Sequence, residues 1–191
     1  MLIETIEYRG HKIQVHSDDD TESPRTAWDN FGHMVCFHKR YDLGDKTNLR
    51  SSQFEGWDEM EAYLREKKGA VVIAPLYLYD HSGITMSVKP FSCRWDSGQV
   101  GFIYTTRDEI LKEHSRKHLS KKLTDQVEQY LIGEVETYDK YLTGEVRGYV
   151  VEGPNCDDSC WGFYDEKHMI EEAKQAIDWS IKQLELPGVV G

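Results

Sequence analysis

The sequence predicts an α+β fold, a mostly antiparallel sheet covered on one face by helices, built as a single globular domain over residues 1–191. Three observations predict it. Strand-like segments cluster early in the chain. Long helical patterns cluster late. The strands are spaced as hairpins rather than as alternating strand–helix units. No repeat, low-complexity tract or long linker breaks that order.

Taken in order, residues 2–8 alternate loosely and suit a strand, Arg9-Gly10 suits a tight turn, and residues 12–16 return as the partner strand. Residues 17–30 read as a polar loop. Residues 31–38 suit a third strand, with Phe31, His33, Val35 and Phe37 on one face and Gly32, Met34, Cys36 and His38 on the other. A polar connection over 41–53 leads to a short helix at 57–67. The most hydrophobic run, 70–79, predicts a central strand in spite of Pro75, which removes one ladder donor and so predicts a bulge or an edge position. Further strands are expected at 84–88 and 100–104. Thr106-x-x-Glu109 is a capping box that starts a helix running to about Leu119. The clearest element is the next helix: Leu123, Val127, Tyr130, Leu131, Val135, Tyr138 and Leu142 recur at three- and four-residue spacing, and Gly144 is placed to end it. Residues 148–151 and 160–164 read as strands around a turn at Gly153-Pro154-Asn155. Asp165 can cap a last helix whose inward face is Met169, Ile170, Ala173, Ala176, Ile177, Ile181 and Leu184, closed by Pro187-Gly188.

The chain has 191 residues, 39% hydrophobic and 12% aromatic, enough to bury a core and to disfavour disorder. No run approaches the length and apolarity of a transmembrane helix. Met1-Leu2-Ile3-Glu4 does not read as the start of a signal peptide, so the expected location is the cytoplasm. Scattered cysteines, Cys36, Cys93, Cys156 and Cys160, fit a reducing compartment. In the Cys156-x3-Cys160 pair, Cys160 is expected to be buried and Cys156 exposed. The net charge of −11 disfavours duplex nucleic acid as a direct partner and favours a basic protein surface. The excess is uneven: residues 134–172 hold eleven carboxylates against three Lys/Arg, whereas residues 107–122 hold six Lys/Arg against three carboxylates.

Two loops concentrate chemistry, Tyr79-Asp80-His81-Ser82-Gly83 and Phe91-Ser92-Cys93-Arg94-Trp95-Asp96-Ser97-Gly98. Cys93 and His81 are the residue types of a nucleophile and its base, with Asp80 or Asp96 orienting the imidazole. The bland alternative is that Gly83 and Gly98 permit tight turns while Asp80 and Asp96 accept backbone hydrogen bonds and Trp95 packs over them. His33, Cys36 and His38 contain zinc-ligand types, but strand parity puts His33 on the wrong face. A zinc or other divalent site would therefore combine Cys36 and His38 with His81 or Cys93. Asp18, Asp20, Glu22 and Asp29 fall at calcium-loop spacing, but Ser23 and Pro24 replace the required glycine and its successor, which favours a solvated acidic loop. No nucleotide-binding fingerprint or HExxH zinc motif is present, and no cofactor is expected.

The segments ESPRTAWDN (22–30), YDLGD (41–45), YDHSG (79–83), WDSGQVG (95–101) and DSCWGF (158–163) together resemble a family of uncharacterised proteins carried by phages and mobile elements. The resemblance covers nearly the whole chain and carries no catalytic residues onto it. It implies a host-interaction setting, in which small phage proteins act as anti-CRISPR or anti-restriction inhibitors in the host cytoplasm. The leading expectation is therefore an accessory protein that binds and inhibits a host nucleic-acid-handling defence protein. Its acidic surface would be formed by Glu134, Glu136, Asp139, Glu145, Asp157, Asp158, Glu171 and Glu172. The first alternative is a small metal- or thiol-dependent hydrolase using His81, Cys93 and Asp96. The second is a phage structural or assembly protein whose tyrosines and tryptophans form an oligomer interface.

Overall fold

The structure, a computed structural model, describes residues 1–185. The expected stop at Pro187-Gly188 lies outside the described residues. The chain divides into two compact units: unit 1 combines residues 1–21 with 144–191, and unit 2 is the intervening stretch 22–143. Each is an α+β unit whose sheet is antiparallel throughout, the class the sequence predicts. The strands are shared between two four-stranded sheets.

Unit 1 contains β1 (Leu2–Tyr8), β2 (His11–Ser17), β7 (Arg147–Glu152) and β8 (Asp158–Phe163), in the order β1-β2-β7-β8. Arg9 and Gly10 turn the first hairpin with φ of 49° and 79°. Two left-handed residues in succession match the twist of a tight hairpin, and glycine takes the second at no steric cost. The predicted partnership of β1 and β2 is observed, and β2 also pairs with β7, Lys12 standing opposite Glu152. Alternate residues Ile13, Val15, Tyr149 and Val151 face the last helix, α5 (Glu166–Glu185), and bury Met169, Ala173 and Ile177 against it. Each such large apolar side chain contributes about 1.5–3 kcal/mol. Leu184, expected to face inward, is exposed. The β1–β2 turn is tied to α5 by Asp178, which accepts from Tyr8 Oη at 3.1 Å and Arg9 Nη1 at 2.6 Å.

Unit 2 contains β3 (His33–Cys36), β4 (Ala70–Asp80), β5 (Ile84–Ser87) and β6 (Ser97–Thr106), in the order β3-β6-β4-β5. Its helices are α1 (Pro24–Ala27), α2 (Trp57–Lys67), α3 (Arg107–Glu113) and α4 (Lys121–Leu142). On one sheet face Met34, Leu76, Leu78 and Ile103 pack with Val127, Leu131, Val135 and Tyr138 of α4. On the other, Val35, Phe102 and Tyr104 pack with Met60 and Leu64 of α2. Burial on both faces explains why β6 reads as a continuous apolar run rather than an alternating one. Pro75 is tolerated because β5 pairs only with residues 77–80, so β4 has a neighbour on one side there, and the register shifts between Leu76 and Tyr77. Gly101 is demanded by space: a Cβ there would lie 1.9 Å from the Val35 carbonyl oxygen.

The helix signals are borne out at their starts. Thr106 and Glu109 form the reciprocal capping box, and Asp165 accepts from His168 N at 3.0 Å ahead of α5; Ser120, which sequence reasoning did not single out, accepts from Leu123 N to cap α4. Gly144 follows α4 with φ 71°. The helix begun at Thr106 stops at Glu113, short of the expected Leu119, because the sequence after Ile110 offers only Lys, Glu, His, Ser and Arg beyond Leu111 until Leu119 and has little to bury. The stretch 17–30 is not a simple solvated loop. It carries α1, whose Arg25 side chain is only 1% exposed.

Candidate functional site

The chemistry-bearing loops converge in unit 2 on a cleft of about 550 Å³. It is lined by residues 37–40, by Leu78 and Asp80 near the end of β4, and by residues 95–100. Of the predicted site residues, His38, Asp80 and Asp96 line the cleft, whereas His81, on the β4–β5 turn, and Cys93, ahead of β6, do not. A backbone bond from Asp80 N to Asp96 O, 2.8 Å, holds the two segments together. Ser97 Oγ donates to the Cys93 carbonyl and closes the second loop. The expected acceptance of backbone N–H groups by the Asp80 and Asp96 side chains is not what holds these segments: the Asp80 carboxylate takes Arg40 and Tyr41, the Asp96 carboxylate His81 and Cys93, and Gly98 lies inside β6.

His81, Cys93 and Asp96 come together, in an order of their own. Asp96 Oδ2 lies 3.3 Å from His81 Nδ1 and 3.6 Å from Cys93 Sγ. A carboxylate at Nδ1 orients an imidazole as catalytic triads require. In those triads the nucleophile meets the opposite ring nitrogen, whereas here thiol and imidazole share one carboxylate oxygen and the proton path from Cys93 to His81 is not made. The imidazole also stacks near Tyr79, at 6.0 Å and 23°, and Tyr79 in turn meets Phe91 at 5.7 Å.

Asp80 does not orient His81. It pairs with Arg40 and accepts from Tyr41 Oη at 3.2 Å. His38 Nδ1 accepts from the backbone N–H groups of Arg40 and Tyr41, each at 3.3 Å, and its ring stacks on Tyr41 at 5.0 Å and 14°. Cys36, at the end of β3, packs against the core of unit 2, where burial, reinforced by Asp45 and opposed by Arg25, pushes its thiol up to about 12. Among the described residues no three His, Cys, Asp or Glu side chains gather into a set that could hold a metal ion. The remaining cysteine pair is the reverse of expectation: Cys156 is buried and Cys160 exposed. The turn folds Cys156 into the core beneath α5, while β8, an edge strand, leaves its side chains largely in water.

Sequence reasoning did not find Lys39, Arg40, Trp95 and Gln99 as lining residues of the cleft. Trp95 is 96% exposed. The expectation that it packs over the turns at Asp80 and Asp96 is overturned by that exposure. Nor did sequence reasoning find the buried network around Arg25. That guanidinium donates to both oxygens of Asp45 at 2.8 and 2.9 Å, to Glu134 Oε2 at 2.7 Å and to the Gly32 carbonyl at 2.6 Å.

The eight carboxylates expected on a docking face divide between the units. Glu134, Glu136 and Asp139 belong to unit 2; Glu145, Asp157, Asp158, Glu171 and Glu172 belong to unit 1. Three of them are engaged inside the protein. Glu134 binds Arg25 and the N–H groups of Phe31 and Gly32. Asp139 accepts from Thr85 Oγ1 at 2.7 Å and Met86 N at 2.6 Å. Asp158 accepts from Tyr149 Oη at 2.8 Å, and burial, followed by that carboxylate, raises the phenol. Glu136, Glu145, Asp157, Glu171 and Glu172 are exposed. The charge itself is concentrated. Unit 1 has fifteen Asp/Glu against six Lys/Arg, a net of −9, and unit 2 nineteen against seventeen, a net of −2.

No family model, curated protein or solved structure matches the chain. Among the described residues no helix is long and apolar enough to cross a membrane.

Proposed function

We propose that this protein acts by binding, with unit 1 docking through its carboxylates on a basic protein surface. The observation that carries the reading is the concentration of charge: −9 of the chain's −11 resides in the smaller unit. On α5, Met169, Ala173 and Ile177 are buried while Glu171 and Glu172 face water, so the helix presents acidic groups from a rigid element. Such a surface speeds encounter with a cationic partner and discriminates against anionic ones. The resemblance of the YDHSG, WDSGQVG and DSCWGF segments to phage-carried proteins supports a partner among cytoplasmic host proteins that handle nucleic acid. There the carboxylates would occupy sites meant for phosphates and inhibit a defence function.

The test is retention of host proteins on the immobilised full chain at low and high salt. A salt-sensitive basic partner is expected, lost when Asp157, Glu171 and Glu172 are changed together to Lys and kept in Glu136→Lys. Retention unaffected by the triple change would remove the proposal's basis.

The convergence of His81 and Cys93 on Asp96 favours one second reading, a thiol-dependent hydrolase. It requires Cys93 to outpace the exposed Cys160 in thiol labelling of the native protein. Slower labelling of Cys93 would reject it.

A further inference from the structure

Unit 2 carries a concentration of positive charge that the docking role, which resides in the other unit, does not use. Residues 112–125 hold Lys112, Arg116, Lys117, Lys121 and Lys122 against Glu113 and Asp125, a net of +3 inside a chain of −11. The stretch runs from the last turn of α3 to the first of α4 and is tied at both ends. Arg116 N donates to Leu111 O at 2.9 Å across Ser115, whose φ is 49°, and Ser120 caps α4. Leu119 and Leu123 pack on the core of unit 2, while all five cations are exposed. None of the five is ion-paired among the described residues. Their charge does not serve the fold, and the two lysines that open α4 run against its dipole.

An aromatic stack adjoins these cations. The His114 ring meets Phe31 edge-on at 6.3 Å and lies nearly parallel to Tyr130, at 6.2 Å and 25°. Tyr130 is 51% exposed, and Gln126 Nε2 donates to its hydroxyl at 3.2 Å. Lys122, Gln126 and Tyr130 recur every four residues on α4 and so share one stripe, with Lys122 and Tyr130 about 12 Å apart along the axis. We infer that this surface binds a single strand of nucleic acid. Arg116, Lys117, Lys121 and Lys122 take backbone phosphates, and a base stacks on the open face of Tyr130. A cationic track beside an aromatic platform is how strands are held without sequence preference. A duplex keeps its bases stacked inside and would leave the tyrosine unused. An anionic membrane asks for apolar side chains to insert, and here the two leucines are turned inward. The negative charge elsewhere on the chain is screened beyond about 8 Å at physiological ionic strength, whereas the phosphate contacts are local.

The test uses the full chain and a fluorescein-labelled oligothymidylate of twelve nucleotides, read by anisotropy. Saturable binding is expected at 50 mM salt, and four neutralised phosphates make it about fiftyfold weaker at 200 mM. Lys121→Gln combined with Lys122→Gln should weaken binding about tenfold at 50 mM salt and reduce that fiftyfold salt effect to about sevenfold. Tyr130→Leu should weaken binding about tenfold and leave the salt effect as it was, while Tyr130→Phe, which keeps the ring, should bind as the wild type does. Lys67→Gln combined with Lys68→Gln makes the same change of net charge at the exposed end of α2 and should leave binding unaltered. Circular dichroism of each variant checks its fold. The inference is overturned by absence of saturation at 50 mM salt or by wild-type affinity in Tyr130→Leu. It is equally overturned if polyglutamate, phosphatidylserine vesicles or a duplex of the same length binds as tightly as the single strand.

Discussion

At the scale of single residues, the side chain with most at stake is Arg25. Its guanidinium is 1% exposed and anchored by two carboxylates and a carbonyl, so removing it strands Asp45 and Glu134 in partly buried positions. Breaking a buried ion pair by deleting one partner costs about 3–5 kcal/mol. Arg25→Met is accordingly expected to lower the stability of unit 2 by several kcal/mol, measured by urea unfolding. Glu134→Gln keeps an acceptor for the Phe31 and Gly32 N–H groups and should cost less, about 1–2 kcal/mol. A loss under about 1 kcal/mol for Arg25→Met would mean that the network is dispensable. Thiol chemistry separates the cysteines at the same scale. Cys36, pushed up to about 12 mainly by burial, is expected to resist alkylation of the native protein at neutral pH, and exposed Cys160 to react. Mass mapping of the labelled sites checks this; native labelling of Cys36 ahead of Cys160 would contradict the burial argument.

At the scale of elements, α3 is a helix held at its start. Thr106 N donates to Glu109 Oε2 at 2.9 Å, and Glu109 Oε1 lies 2.6 Å from His33 Nε2 on β3, so one carboxylate caps the helix and fastens it to the sheet. Burial would raise the Glu109 carboxyl, but the Thr106 side chain, His33 and the Thr106 backbone outweigh it and hold the group at about 2, against an ordinary 4.5. The folded value is depressed, so the contribution to stability is complete above about 4.5 and fades as pH falls towards 2. Solvent screening reduces its size, because Glu109 and His33 are both substantially exposed. Glu109→Gln is expected to flatten the pH dependence of stability in that window, read from urea midpoints at a series of pH values. An unchanged slope would assign the acid sensitivity to other carboxylates. Thr106→Ala tests the same cap at constant charge and should cost about 1 kcal/mol. These local devices are what the sequence makes legible. A capping box, the Asp165 cap, the Arg9-Gly10 turn and the spacing of α4 each need only a few neighbouring residues, and all four stand where they are expected. Arg25 was illegible because its partners, Asp45 and Glu134, lie far along the chain, and no local pattern marks an arginine that will be buried. The cysteine pair was misread for a related reason. Strand alternation says nothing about whether a helix covers a given strand, and β8 is an edge strand with most of its side chains in water.

At the scale of the whole molecule, the decisive feature is the pairing of β2 with β7, which brings Lys12 opposite Glu152 and Ser17 opposite Arg147. Sequence reasoning sees hairpins, and it finds β1–β2 and β7–β8. It has no access to a partnership across more than a hundred residues, and so it assembles the strands into one sheet where there are two. That pairing also gives unit 2 the character of an insertion into unit 1. Asp18 N donates to Val146 O at 3.0 Å, so the chain leaves unit 1 and re-enters it at neighbouring points. Insertions whose ends lie close together can be excised without straining what remains. Residues 22–143, with two packed sheet faces, are therefore expected to fold alone, giving cooperative thermal unfolding and the helical circular dichroism of α2 and α4. Residues 1–21 joined to 144–191 by a short Gly/Ser linker form a smaller body. Its core rests on one sheet face against α5, and with a net charge of −9 it is expected to be weakly stable at low ionic strength and to gain stability with added salt as self-repulsion is screened. If the 22–143 fragment shows no cooperative transition, the division into units is a matter of contact density and not of folding. If the linked 1–21/144–191 protein loses stability with salt, the carboxylates of unit 1 are held by specific internal pairs rather than left to repel one another, and the docking surface loses the charge on which it depends.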